Sequence, residues 1–112
     1  TFLQEAAIAA LATDPAPMRE IYRRRRDYVC QRLTEMGLRF PQPEGAFYVF
    51  PDIRRFGLSS EGFCTRMIRE AKVAAVPGTC FGAEGHIRLS YCYSDQELKK
   101  GLDRLEAFIA TL

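Results

Sequence analysis

The chain has 112 residues, 47% hydrophobic and 27% charged, with 16 Lys+Arg against 14 Asp+Glu. This size and balance fit one globular domain with a single core, and exclude a disordered tail, a collagen-like chain and a coiled-coil rod. A formal net charge of +2 leaves no electrostatic footprint for nucleic acid or an anionic membrane, and no run approaches the ~18 apolar residues of a membrane span.

Proline and glycine divide the chain cleanly. Thr1 to Ala12 reads as a short helix ended by Asp14-Pro15-Ala16-Pro17. Phe2, Leu3, Ile8, Leu11 and the alanines between them wrap nearly every side of it. Such a helix expects protein on several sides, and with it a segment preceding Thr1. The N-terminus lacks the basic patch, apolar stretch and cleavage site of a signal peptide. Met18 to Met36 is an amphipathic helix: Met18, Ile21, Tyr22, Tyr28, Val29, Leu33 and Met36 recur at three- and four-residue steps. Pro17 suits its first turn and Gly37 its C-terminal cap.

Leu38 to Phe40 is expected as a short strand, Pro41 to Gly45 as a turn, and Ala46 to Phe50 as a second strand stopped by Pro51. After a loop from Asp52 to Leu58, Ser59 or Ser60 caps a helix. Its expected buried face is Phe63, Cys64, Met67, Ile68 and Ala71. Val73 to Val76 is a strand closed by Pro77-Gly78, followed by a glycine-bearing loop to Gly85 and a strand from His86 to Cys92. Ser94-Asp95-Gln96-Glu97 has the pattern of a capping box. The last helix carries Leu98, Leu102, Leu105, Phe108, Ile109 and Leu112 on one stripe. The string α-α-β-β-α-β-β-α predicts an α+β domain, a small mostly antiparallel sheet covered by helices on one face.

Within Ile87-Arg88-Leu89-Ser90-Tyr91, period two sends Ile87, Leu89 and Tyr91 to one face and His86, Arg88 and Ser90 to the other. The planar guanidinium of Arg88 matches a carboxylate bidentately. Read alone, the same pattern also suits an arginine on a solvated sheet face. The loop Pro77-Gly78-Thr79-Cys80-Phe81-Gly82 has glycines that permit close backbone approach to a ligand, with Phe81 as a rim, or forms an ordinary turn. It lacks the phosphate-loop pattern, and a strand follows it. Gly45, Ala46 and Phe47 open a strand after a proline-rich turn, where small residues face a ligand and Phe47 walls it, or Phe47 joins the core.

Arg23 to Arg26 points in four directions on a helix, with Glu20 and Asp27 close by, so it reads as a solvated surface and not as a nucleic-acid patch. Cys30, Cys64, Cys80 and Cys92 form no C-x-x-C pair, and His86, the only histidine, has no ligand-like spacing to them. No metal site is expected. The expectation is instead reduced thiols in a cytoplasmic protein. No carboxylate or histidine is assigned acid-base chemistry.

Four segments, taken in order, resemble one family. The helix Phe2 to Leu11 resembles the helix that follows a cofactor-binding region. Met18, Tyr22 and Arg25-Arg26-Asp27 match an M…Y…RRD helix. Pro43-Glu44-Gly45-Ala46-Phe47-Tyr48 is similar to a P-x-G-A-F-Y strand start. Val73 to Gly82 with Ile87 to Leu105 (VAAVPGTCFG and IRLSY…GLDRL) match the ending. Together they resemble the C-terminal small domain of class I/II aminotransferases, the aspartate aminotransferase-like pyridoxal-phosphate enzymes of fold type I, over essentially all 112 residues.

The resemblance implies that Arg88 grips the α-carboxylate of an amino-acid or 2-oxo-acid substrate. It implies that Gly45, Ala46 and Phe47 belong to a segment closing over that substrate, with Phe81 and Gly82 on the same rim. It implies pyridoxal 5'-phosphate in the full-length enzyme, a large N-terminal domain against which residues 1–12 pack, and a homodimer. Lys72, Lys99 and Lys100 are the only lysines, and none sits in a context resembling the Schiff-base lysine. No catalytic or cofactor-binding residue is therefore expected in this chain, which alone should bind no cofactor and be inactive. After RLSY, Cys92-Tyr93 replaces the small residues usual in the family. The alternatives are a stand-alone carboxylate-binding or oligomerisation module, and the same domain of a related pyridoxal-phosphate lyase or synthase.

Overall fold

Ile87, Leu89 and Tyr91 are buried while His86, Arg88 and Ser90 are half-exposed, so the period-two pattern of this strand sets the two faces of the sheet. A computed structural model describes all residues, Thr1–Leu112. The helices are α1 (Phe2–Leu11), α2 (Ala16–Glu35), α3 (Ser60–Ala71) and α4 (Asp95–Ile109). The strands are β1 (Tyr48–Val49), β2 (Val76–Pro77) and β3 (Ile87–Ser90), with 3₁₀ turns at Arg54–Phe56 and Gly78–Phe81. The sheet order is β1-β3-β2, and both pairings are antiparallel. The register sets Tyr48 opposite Ser90, Val49 opposite Leu89, and Val76 opposite Arg88. The α+β class and the antiparallel sheet are as the sequence implies.

The strands are shorter than expected. Leu38 to Phe40 contributes only a bridge from Arg39 to Asp52, which also bridges His86. Ala46 cannot join β1 because its φ is +56°. Of Val73 to Val76 only Val76 pairs, and the pairing runs on into Pro77, which an edge strand tolerates.

The helices bury one face of the sheet. Val29 and Leu33 of α2, Phe63 and Met67 of α3, and Leu98, Leu102, Leu105 and Phe108 of α4 form one core with Val49, Ile87, Leu89 and Tyr91. Phe63 and Phe108 meet edge to face at 5.3 Å. Burying each such side chain stabilises the fold by about 1.5–3 kcal/mol relative to leaving it exposed. α2 begins two residues before Met18, with Asp14 accepting from the Ala16 amide at 2.9 Å. It ends as predicted at Gly37, whose φ of +72° lets the Gly37 and Leu38 amides close on Thr34 and Leu33. Ser59 is the cap of α3, accepting from the Gly62 amide at 3.1 Å. Ser94 accepts from the Glu97 amide at 3.2 Å, and the Glu97 side chain turns to Lys100 instead of completing the box. Three stripe residues are exposed: Met18, Ile68 and Leu112. Ile68 follows Met67 by about 100° of helix rotation, which carries it off the buried face. α1 has no buried residue at all.

Candidate functional site

The face of the sheet away from the core carries the site. Arg88 lies on β3, the central strand, and its guanidinium lies over two aromatic rings. The guanidinium carbon is 4.3 Å from the centre of the Tyr48 ring and 4.6 Å from that of Phe81. Tyr48 comes from β1, diagonally across the pairing, and Phe81 from the 3₁₀ turn after β2. Cation–π contact uses the faces of the rings and takes up none of the guanidinium N–H donors.

The other half-buried arginines, Arg25, Arg26, Arg32 and Arg66, are each paired with a carboxylate at 2.7–3.1 Å. Arg88 has no carboxylate partner within the chain. A fixed fork with unspent donors is a receptor for a planar anion. A cleft of about 560 Å³ reaches Arg88, Tyr48 and Phe47 and runs in from the sheet edge at Val73–Val76 to the core residues Leu89, Leu98 and Leu102. Cys92 and Tyr93 line this cleft.

The predicted residues divide by role. Phe47 and Phe81 reach the Arg88 cluster: the Phe47 ring lies 4.5 Å from Tyr48, and Phe81 is itself a stacking wall. Gly45 and Ala46 form the turn that delivers Phe47. Gly82 ends the 3₁₀ turn with φ +68°. The close approach allowed by Gly78 is to the chain's own backbone, not to a ligand. A Cβ there would sit 2.0 Å from the Ala83 carbonyl oxygen and 2.5 Å from that of His86. Tyr48 and Phe50 escaped the sequence reading. Period two across Ala46 to Phe50, opposed to Val49, was the signal for both. Phe50 meets Phe81 edge-on at 5.8 Å and stacks on His86 at 5.7 Å.

Other candidates carry no chemistry here. The Arg23 to Arg26 run splits, with Arg23 on Glu20, Arg25 on Asp95 of α4, and Arg26 on Asp27. All four cysteines are free. Burial pushes the Cys64 thiol up to about 11 and raises that of Cys30, the opposite of an activated nucleophile. The N-terminus of α3 is filled from within: the Glu84 carboxylate accepts from the Ser60 amide at 2.7 Å and its hydroxyl at 2.8 Å.

Known proteins share this arrangement of sequence and fold. The family model for aminotransferase class I and II matches residues 1–105. The chain is 47% identical over 113 aligned residues to aromatic-amino-acid aminotransferase 2 of Thermococcus litoralis, covering 95% of this chain and 29% of that protein. It is 46% identical to the probable N-acetyl-LL-diaminopimelate aminotransferase of Bacillus subtilis, covering 95% of this chain and 28% of that one. The crystal structure of the aromatic aminotransferase from Pyrococcus horikoshii superposes with a TM-score of 0.90 at 43% identity, over 99% of this chain and 32% of that chain. The chain thus spans less than a third of the length of these relatives. By the match across residues 1–105 and these identities, the chain belongs to the class I and II aminotransferase family.

Proposed function

We propose that this chain is the substrate-gripping small domain of a pyridoxal-phosphate-dependent aminotransferase, which moves an amino group from an α-amino acid to a 2-oxo acid. The observation that carries the reading is Arg88, set over both the Tyr48 and the Phe81 ring with no carboxylate of its own. Its fork takes the substrate α-carboxylate through two parallel charge-assisted bonds and so fixes where the amino group points. Phe47 and Phe81, 37% and 47% exposed, wall the bound acid and exclude water as the domain closes.

The cofactor itself does not fit these residues. A Schiff-base lysine must offer a neutral amine. The Asp103 carboxylate, 2.7 Å from Lys99, raises the pKa of that ammonium. Lys72 donates to the Arg69 carbonyl at 2.8 Å, and Lys100 faces Glu97. The Gly78–Phe81 turn is no phosphate cradle, because the Gly78, Gly82 and Ala83 amides all bond to carbonyls of the chain. In this reading the cofactor and its lysine belong to a large domain outside these 112 residues, and the 112 residues alone do not transaminate. Phe2, Leu3, Ile8 and Leu11 of α1, 65–89% exposed, supply a face for that domain. A cytoplasmic homodimer acting in amino-acid metabolism completes the reading, and four free thiols accord with a reducing compartment.

The test is kinetic. In the complete enzyme, Arg88→Lys keeps the charge and loses the fork. It lowers kcat/KM for an α-amino acid such as L-phenylalanine by roughly 100-fold, and leaves phenethylamine, the same amine without its carboxylate, unchanged. Equal losses on the two amines would contradict the assignment.

A further inference from the structure

Two non-glycine residues have positive φ, Ala46 at +56° and Lys72 at +57°. Lys72 caps α3, an ordinary place for a left-handed residue. Ala46 caps nothing. It precedes β1, and its side chain makes this backbone conformation unfavourable unless something holds it. What holds it is Tyr91. The Tyr91 phenol donates to the Ala46 carbonyl at 3.3 Å, long for a hydroxyl donor, and the Tyr91 amide donates to the Phe47 carbonyl at 2.9 Å. Tyr91 is 2% exposed and stands on the core face of the sheet. It therefore reaches the turn from behind and touches neither Arg88's rings nor the cleft.

From this turn the contacts run directly to the site. Phe47 packs on Tyr48, whose ring faces the guanidinium. The Phe47 ring also lies 6.1 Å from the ring of Tyr22 of α2. A rotation of Ala46 out of the left-handed region swings both rings, because they follow it within two residues.

We infer that Tyr91 is a positioning residue for the carboxylate grip: its phenol holds Ala46 in the left-handed turn that sets the Phe47 and Tyr48 rings against Arg88. The inference rests on the reading of Arg88 as that grip, and adds a residue that never meets the substrate.

The test is a double-mutant cycle in the 112-residue chain: wild type, Tyr91→Phe, Ala46→Gly, and both. Two NMR readouts are taken. One is the ring-current shift of the Arg88 Nε–H without ligand. The other is the affinity for 3-phenylpropionate, a carboxylate with an aromatic tail. Tyr91→Phe keeps the buried ring and removes only the donor. It moves the Arg88 resonance toward its unstacked position and weakens 3-phenylpropionate about threefold. Ala46→Gly alone stays within about twofold of wild type, since glycine adopts positive φ freely. In the double variant Ala46→Gly restores the resonance and most of the affinity. A Tyr91→Phe loss that Ala46→Gly leaves untouched overturns the inference and assigns Tyr91 to packing alone. So does an unmoved Arg88 resonance. Failure of wild type to bind 3-phenylpropionate overturns the carboxylate reading instead, and the ligand-free resonance still decides the role of Tyr91.

Discussion

The Arg88 guanidinium carbon lies 4.3 Å from the centre of the Tyr48 ring, across the β1–β3 pairing. The centre of the Phe81 ring lies 4.6 Å from the same carbon. Each contact is worth about 0.5–1 kcal/mol at an exposed site. Tyr48→Leu and Phe81→Leu are therefore each expected to weaken 3-phenylpropionate about two- to fivefold. Phe81→Leu leaves thermal stability nearly unchanged, because this ring is half-exposed outside the core. Titrations and melting curves on the two variants check both parts.

A second expectation concerns the turn that carries Phe81. Gly78→Ala drives a Cβ into two backbone carbonyls, and neither is the free end of a side chain. It should destabilise the domain by roughly 1–3 kcal/mol and shift Phe81 off Arg88. Gly45→Ala is the control: nothing lies within 4 Å of the added Cβ. Its stability should stay within about 0.5 kcal/mol of wild type. Denaturant unfolding of the two variants separates them.

The Glu84–Ser60 contact makes stability depend on pH. Bonds from the Ser60 amide, and then from its hydroxyl, hold the Glu84 carboxyl below the usual carboxylate range. A depressed folded pKa contributes stability above the unfolded pKa, and that contribution is lost as pH falls through the folded value. Asp52, held low mainly by Arg54, and Asp103, held low by Lys99 and Arg32, act in the same sense. Glu84→Gln should lower Tm by a few degrees at neutral pH. Its Tm should then fall less than that of wild type between about pH 5 and pH 3. Parallel acid-melting curves would expose an error in this assignment.

What was legible in the sequence follows from burial. β3 sits between two strands and has one buried face, so its alternation placed Arg88 on the open face without any structure. Gly37 and Ser94 announced helix ends because their chemistry is local. The ends of β1 and β2 were not legible, because β3 offers only four residues to pair with. Nothing local shows Ala46 leaving the strand, since the Tyr91 bond that holds it comes from 45 residues away. The sequence leaves the Gly78 loop open between close approach to a ligand and an ordinary turn, and only the folded chain shows that the crowding carbonyls at Gly78 are its own. Period two sets Tyr48 on the face opposite to Val49, and the pairing with β3 then brings its ring to the guanidinium.

The most direct test of the carboxylate grip is an NMR titration of the 112-residue chain, following the Arg88 Nε–H with 3-phenylpropionate and with its amide. The expected result is a saturable shift of that resonance by the carboxylate alone, abolished in Arg88→Gln. An equal response to the amide, or a response centred away from Arg88, would contradict the account.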